Sequence, residues 1–183
     1  FLKSIFKQHC NAGPTILHLA IASGNAKLVE YILDLDAKFT ALNAEPFLLN
    51  TTFKDDGAKI ATPLGYCIAK YKEARDLRDA DTMKQFESIF LAIALKNPQD
   101  KHVLTKALAC GMSKETLVKL CAHHGLYDIG KHAPHSKEDI FRTLAYAINN
   151  YTDPEVFELT WQYIKRLGGA ASPTMAKGGV EAA

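Results

Sequence analysis

Residues 13–37 read GPTILHLAIASGNAKLVEYILDLDA and contain two short apolar periodicities separated by Gly24 and Asn25. Thr15 precedes the first periodicity and suits a helix cap, because its hydroxyl can accept from a free backbone N–H of the first turn. Gly24 suits the end of that helix, and Asn25 suits the cap of the next one. Apolar residues recur at helical spacing in both halves, at Leu17, Leu19, Ala20 and Ile21 and then at Leu28, Val29, Ile32 and Leu33. The stretch therefore predicts two short antiparallel helices joined by a tight turn.

The same stretch resembles an ankyrin repeat. Residues 15–20 read TILHLA, which is similar to the Thr-Pro-Leu-His-x-Ala signature of that family, with Ile16 in place of proline. The family's later Gly, Val, Leu-Leu and Ala positions are occupied here by Gly24, Val29, Ile32, Leu33 and Ala37. The resemblance implies an all-α ankyrin-repeat solenoid and protein–protein recognition through its concave face. It also implies that His18 is structural and ties adjacent repeats by hydrogen bonds.

Weaker copies of this helix pair follow along the chain. Thr62-Pro63-Leu64 restarts the signature, but Gly65 replaces the histidine. We predict about three to four repeats in an ankyrin-repeat domain over residues 11–167. The predicted repeats lie at about 13–37, 62–96, 100–125 and 136–167. Residues 1–10 are predicted to form a capping helix or the end of a preceding repeat, and residues 168–183 a tail or linker.

Helix caps and apolar stripes are predicted inside these repeats. Asp81 is predicted to cap the second helix of the second repeat, and Asp100 to cap the third repeat. Ser113 is predicted to cap the helix that follows. In the fourth repeat the apolar face is predicted to comprise Phe141, Leu144, Ala147 and Ile148.

The spacing between the first two repeats exceeds the family period, which predicts an insertion over residues 46–61. Residues 47–53 are rich in β-formers, residues 54–57 end in Asp-Gly, and residues 58–61 can return as a second strand. We expect a β-hairpin that projects from the repeat junction, with Phe47 and Leu49 either packed on the body or exposed for a partner. Its tip is predicted to touch that partner, with Phe53, Lys54 and Asp55 contributing most. The full set of predicted partner-binding residues is Phe53, Lys54, Asp55, Asp56, Lys59, Lys70, Lys101, Asn149 and Asn150.

The composition excludes several classes of protein. The chain of 183 residues is 48 % hydrophobic and 23 % charged, which is typical of a globular protein. A net charge of +2 argues against a dedicated nucleic-acid binder. The sequence contains neither an apolar run that could span a membrane nor a recognisable signal peptide. The four cysteines, Cys10, Cys67, Cys110 and Cys121, lack regular spacing, so we expect reduced thiols in a cytoplasmic protein.

No catalytic or cofactor motif is recognisable, and we expect neither enzymatic activity nor a bound cofactor. The one metal-like group of side chains lacks the tight ligand pairs of structural zinc sites, and we expect no metal there. That group comprises Cys121, His123, His124, His132 and His135. Trp161 is expected in the core or at the end of the array.

The predicted function is a protein-interaction module, expected to be monomeric. The divergent repeats also resemble ankyrin-bearing effectors that intracellular bacteria inject into host cells, which would place the protein in the host cytoplasm or nucleus. Two alternatives remain open at this point. The chain could be the substrate-recognition part of a larger enzyme, or a structural array inside a larger scaffold.

Overall fold

A computed structural model of the chain describes residues 14–43, 48–49, 51–54, 60–97, 100, 102–124 and 137–168. These residues are mostly helical, which confirms the predicted all-α class. Four helices open a helix pair, namely α1 (Ile16–Ala22), α3 (Pro63–Asp76), α5 (Val103–Cys110) and α7 (Lys137–Asn150). Four helices close one, namely α2 (Ala26–Asn43), α4 (Ala80–Lys96), α6 (Lys114–His124) and α8 (Pro154–Gly168).

The helices pack with their neighbours in chain order. Each opening helix packs on the closing helix of its own pair. The closing helices form one continuous layer in which α2, α4, α6 and α8 follow one another. In the layer of opening helices, α1 packs on α3 and α5 packs on α7. The described residues therefore form two layers, with close contacts confined to adjacent pairs.

Local sequence signals set the helix ends. The Thr15 and Thr62 hydroxyls accept from the backbone N–H groups of His18 and Gly65, and so cap α1 and α3. Asn25 caps α2 by accepting from the N–H of Leu28. Helices α1 and α5 are each followed by a glycine with φ of +69°, Gly24 and Gly111. This left-handed conformation is strained for other residues, which explains why glycine ends both helices.

Two predicted caps were wrong. Helix α4 is capped by Asp79, which accepts from the N–H of Thr82, and Asp81 lies in its first turn. The cap falls earlier because α3 continues only to Asp76 before the turn. Helix α5 begins after His102 without a side-chain cap, and Asp100 instead accepts from the N–H of His102. Ser113 was predicted correctly, since its hydroxyl accepts from the N–H of Thr116.

The core lies between the two layers and contains the apolar stripes of the helices. Leu17 and Ile21 are fully buried in the first pair, and Ile89, Phe90 and Leu108 are fully buried further along. In α7, however, the predicted apolar face was wrong at two of its four positions. Thr143 and Ala147 are buried, whereas Phe141 and Ile148 are exposed. The helix turns Thr143 toward α5, where its hydroxyl lies 2.7 Å from that of Thr105.

The segment between the first two pairs contains a short β-ladder. Strands β1 (Phe53–Lys54) and β2 (Ile60–Ala61) pair antiparallel, with Phe53 opposite Ala61 and Lys54 opposite Ile60. The strand predicted from residue 47 is wrong over its described part before residue 53, because Leu48 and Leu49 form a turn. Both leucines are buried, so this part of the insertion packs on the helices. Residues 44–47 and 55–59, including Phe47 and the predicted tip, lie outside the described residues, and the full hairpin stays a prediction.

Candidate functional site

The exposed side of α1 and α3 is the candidate binding surface, and we call it the first-helix surface. It comprises Leu19 on α1 and Tyr66, Ala69, Lys70 and Lys72 on α3. Leu19 is exposed although it lies one residue from buried His18. The Lys70 ammonium lies 5.7 Å from the centre of the Tyr66 ring, within the range of a cation–π contact. An exposed leucine on α1, and an aromatic ring with a cation on α3, suit contact with another protein.

Beneath this surface, His18 joins the first two helix pairs. Its Nδ1 lies 2.7 Å from the Thr15 hydroxyl, and the backbone of Ala61, just before the cap of α3, is near enough to raise the pKa of the ring against the larger effect of burial. The His18 ring contacts Tyr66 edge-on at a centroid distance of 5.8 Å. Burial lowers the pKa of His18 from 6.5 to about 4, so the ring is neutral at physiological pH. His18 is thus buried and in contact with the second pair through Tyr66, and its role as a hydrogen-bonded tie between pairs stays a prediction.

A buried carboxylate joins the second and third pairs. Glu87 on α4 accepts hydrogen bonds from the Tyr71 hydroxyl at 3.3 Å, the Ser113 backbone N–H at 2.8 Å and the Thr116 hydroxyl at 2.7 Å. The Ser113 hydroxyl donates to the same carboxylate. These groups place a negative charge at the start of α6, where the helix dipole favours it. Glu87 therefore links α3, α4 and α6 through polar contacts.

Long side chains of α3 span the space between α3 and α5. These two opening helices do not pack closely, in contrast to α1 with α3 and α5 with α7. The Tyr71 hydroxyl lies 3.2 Å from the Gly111 carbonyl oxygen, and an Arg75 guanidinium nitrogen donates to the Cys110 carbonyl oxygen at 2.9 Å. Burial, together with the nearby Glu87 carboxylate, raises the pKa of Tyr71, so the phenol stays a neutral donor. This junction thus depends on polar side chains.

The structure places some of the predicted partner-binding residues. Phe53 and Lys54 lie on β1, next to the strand that contacts α3. Lys70 belongs to the first-helix surface and also pairs with Glu73 at 2.7 Å. Asn149 is exposed on α7. The remaining predicted residues in the insertion and before α5 lie outside the described residues, namely Asp55, Asp56, Lys59 and Lys101.

Asn150 has a structural contact that the sequence did not predict. Its side-chain amide donates to the Leu108 carbonyl oxygen at 2.8 Å and so ties α7 to α5. The Tyr151 hydroxyl, in the next position, donates to the Met112 carbonyl oxygen at 2.7 Å. Asn150 therefore contributes to the contact between the third and fourth pairs, and its role in partner binding stays a prediction.

The described part of the chain holds no cluster of three or more His, Cys, Asp or Glu that could bind a metal. Within the predicted metal-like group, Cys121 is buried and His123 is half-buried near the end of α6, while His132 and His135 lie outside the described residues. Cys67, Cys110 and Cys121 are free thiols and buried, as predicted for these three. Burial raises the pKa of Cys67 and Cys110, which disfavours a reactive thiolate at neutral pH.

Sequence reasoning missed two buried carboxylates, Glu87 and Asp36. Both carboxylates were detectable in principle, because each occurs at helical spacing within an apolar stripe. Asp36 follows Val29 and Leu33 on α2, and its two oxygens lie 3.3 and 3.2 Å from the backbone N–H of Leu48. Asp36 thereby holds the insertion on the first helix pair. A charged residue on a buried helix face signals a specific polar partner.

Comparison with known proteins gave no match: no family model, no curated protein sequence and no solved structure matches the chain. Among the described helices, none has the length and apolar character needed to cross a membrane.

Proposed function

We propose that the chain is an ankyrin-type repeat protein that binds a protein partner in the cytoplasm and has no catalysis of its own. The single observation that carries the proposal is the buried Thr15–His18 hydrogen bond beside the His18–Tyr66 contact between the first two pairs. It supports the structural histidine that the resemblance to the ankyrin signature implies. The packing of each helix pair on its neighbours supports the same architecture.

The partner is proposed to bind across the first-helix surface and the insertion beside it. Strand β2 contacts α3 and directly precedes it in the chain, so the insertion ends beside α3. Leu19 would supply apolar contact, and Lys70 would meet an acidic group of the partner. An interface of this kind needs an apolar centre with a polar rim, and the surface offers both.

A matched pair of substitutions tests this surface once a partner has been isolated with the wild-type chain. Leu19 on α1 and Tyr31 on α2 are similarly exposed, at 56 % and 61 %. Leu19→Glu is expected to raise the partner's Kd at least tenfold, about 1.4 kcal/mol, whereas Tyr31→Glu leaves it within twofold. Equal effects of the two substitutions on a calorimetric titration would reject the first-helix surface as the binding site.

The insertion has its own test. Replacing residues 50–58 by a short Gly-Ser turn removes the predicted tip but keeps buried Leu48 and Leu49. We expect an unchanged helical circular-dichroism signal and partner binding weakened at least tenfold. Unchanged affinity would show that the tip does not touch the partner, and loss of the helical signal would make the insertion structural.

A further inference from the structure

The last helix pair carries an apolar patch that the described residues leave open to solvent. On α7, Phe141 and Ile148 are 70 % and 62 % exposed, and exposed Ala145 lies between them. On α8, Phe157 and Trp161 are one turn apart and 40 % and 37 % exposed. Because α7 packs on α8, we treat these five residues as one feature and call it the end surface.

The α7 part of the end surface lies on the side of the helix away from α5. The opposite side of α7 carries Thr143 and Asn150, which contact Thr105 and the Leu108 carbonyl of α5. At 3.6 residues per turn, position 145 lies about half a turn from position 143, so the two sides face opposite directions. This is the side on which a further helix pair of a linear array would pack.

The segment that follows α8 is a poor cover for this patch. Residues 169–183 read GAASPTMAKGGVEAA, in which Met175 and Val180 are the only large apolar residues. By contrast, residues 1–10 at the other end carry Leu2, Ile5 and Phe6 at helical spacing. Residues 169–183 thus offer fewer large apolar side chains than residues 1–10.

The α7 stripe is complementary to itself when two copies are arranged antiparallel. Ala145 lies close to the midpoint between Phe141 and Ile148. A two-fold axis at Ala145 would place Phe141 of one copy against Ile148 of the second, and would repeat that contact symmetrically. The small side chain at the axis would let the two helices approach closely.

The charges around the stripe are compatible with the same arrangement. In this register the exposed Arg142 meets the exposed Asn149 of the second copy. The side-chain carbonyl of Asn149 can accept from the guanidinium. The arrangement therefore creates no contact between like charges at these positions.

The apolar area is large enough for a weak association. The exposed fractions of Phe141, Ile148, Phe157 and Trp161 correspond to roughly 400 Å² of side-chain surface per chain, or about 800 Å² for two copies. Stable interfaces begin at about 1,200 Å² in total. The surrounding polar residues would supply the remainder, which places the association at the weak end of specific interfaces.

From these observations we propose that the chain forms a two-fold symmetric dimer in which the α7 stripes pack antiparallel and Phe157 and Trp161 flank the contact. This replaces the expectation of a monomer. It leaves the first-helix surface free for a partner, and it does not depend on the proposed partner binding.

Sedimentation of the purified chain tests the dimer. We expect a monomer–dimer equilibrium that is mostly dimeric at about 100 µM, in the weak range of protein association. Ile148→Arg is expected to raise the dissociation constant at least tenfold, because each dimer would contain two charges in the apolar stripe. Val118→Arg, at an exposed apolar position on α6, is the matched control and should leave the equilibrium unchanged. A wild-type chain that stays monomeric, or equal effects of the two variants, overturns the proposal.

Disulfide trapping tests the antiparallel register. In a Cys10→Ser background, Ala145→Cys should form an intermolecular disulfide under mild oxidation, because residues at the axis approach within disulfide distance. Ala22→Cys, exposed on α1, should remain at least fivefold less cross-linked. Similar yields for the two variants would reject the axis at Ala145.

Discussion

The junction between the first and second helix pairs differs from the junction between the second and third. At the first junction, opening helices pack on each other, closing helices pack on each other, and the His18 ring packs edge-on against Tyr66. At the second junction only the closing helices pack closely, and Tyr71 and Arg75 reach across to the backbone at the end of α5. Apolar packing therefore supports one junction in both layers, whereas a network around Glu87 supports the other.

The comparison shows which contacts are present at the junction where the pattern of residues 15–20 is not kept. The histidine of the first pair corresponds to Gly65 in the second, so α3 has no imidazole to bond the next loop. A carboxylate on the closing helix takes over, and it binds the first turn of the next closing helix. Hydrogen bonds of this kind are costly to leave unmade in a buried site.

The largest expected effect comes from removing the carboxylate. Glu87→Ala leaves the donors of Ser113 and Thr116 without their carboxylate acceptor, and we expect a loss of about 3 kcal/mol in the free energy of unfolding. Glu115→Ala, at an exposed position on α6, is the control and should cost less than about 0.5 kcal/mol. Urea unfolding followed by circular dichroism would measure both, and equal losses would contradict the role of Glu87.

Acid should weaken the first junction through His18. Because the folded pKa is about 4 and the unfolded value is 6.5, the unfolded chain binds the extra proton as the pH falls. The neutral ring stabilises the fold fully above pH 6.5, and this stabilisation is lost as the pH falls toward about 4. The loss reaches about 2 kcal/mol at pH 5. Glutamine does not titrate in this range. Between pH 7 and pH 5 the free energy of unfolding of His18→Gln should therefore fall by about 2 kcal/mol less than that of the wild-type chain. Parallel pH profiles of the two proteins would show that His18 is not the titrating group.

The two threonine caps offer a matched comparison of the pairs themselves. Thr62→Ala removes a helix cap and should cost about 1 kcal/mol. Thr15→Ala removes both a cap and the partner of the His18 imidazole, and should cost about 2 kcal/mol. Thermal or urea unfolding of the two variants would measure the difference, and identical costs would mean that the Thr15–His18 bond adds no stability.

The smallest effect is expected at Arg75. Its bond to the Cys110 carbonyl is lost in Arg75→Ala, but the side chain is partly exposed and water can replace the donor, so the cost should be below about 1 kcal/mol. Arg78→Ala, in the turn after α3, serves as the control for a removed surface charge. Urea unfolding would measure both variants. If Arg78→Ala lowered the free energy of unfolding more than Arg75→Ala does, the assignment of Arg75 to the junction would be rejected.

The sequence predicted the helices better than their contacts. Thr15, Gly24, Asn25 and Thr62 act locally, so their roles as caps and stops could be predicted from their neighbours alone. The exposure of Phe141 could not, because it depends on how α7 rotates to bring Thr143 to Thr105. Lys70 was predicted as a binding residue from its alignment, but its contacts with Tyr66 and Glu73 emerge only from the packed helix.

Hydrogen exchange of the Glu87→Ala variant tests the linear two-layer array most directly. In such an array, breaking one junction uncouples the pairs on either side of it, because each pair contacts only its neighbours. Mass spectrometry should therefore show faster amide exchange in α5, α6, α7 and α8, with protection retained in α1 and α2. A uniform loss of protection across all the helices would instead indicate a single cooperative core and contradict the array.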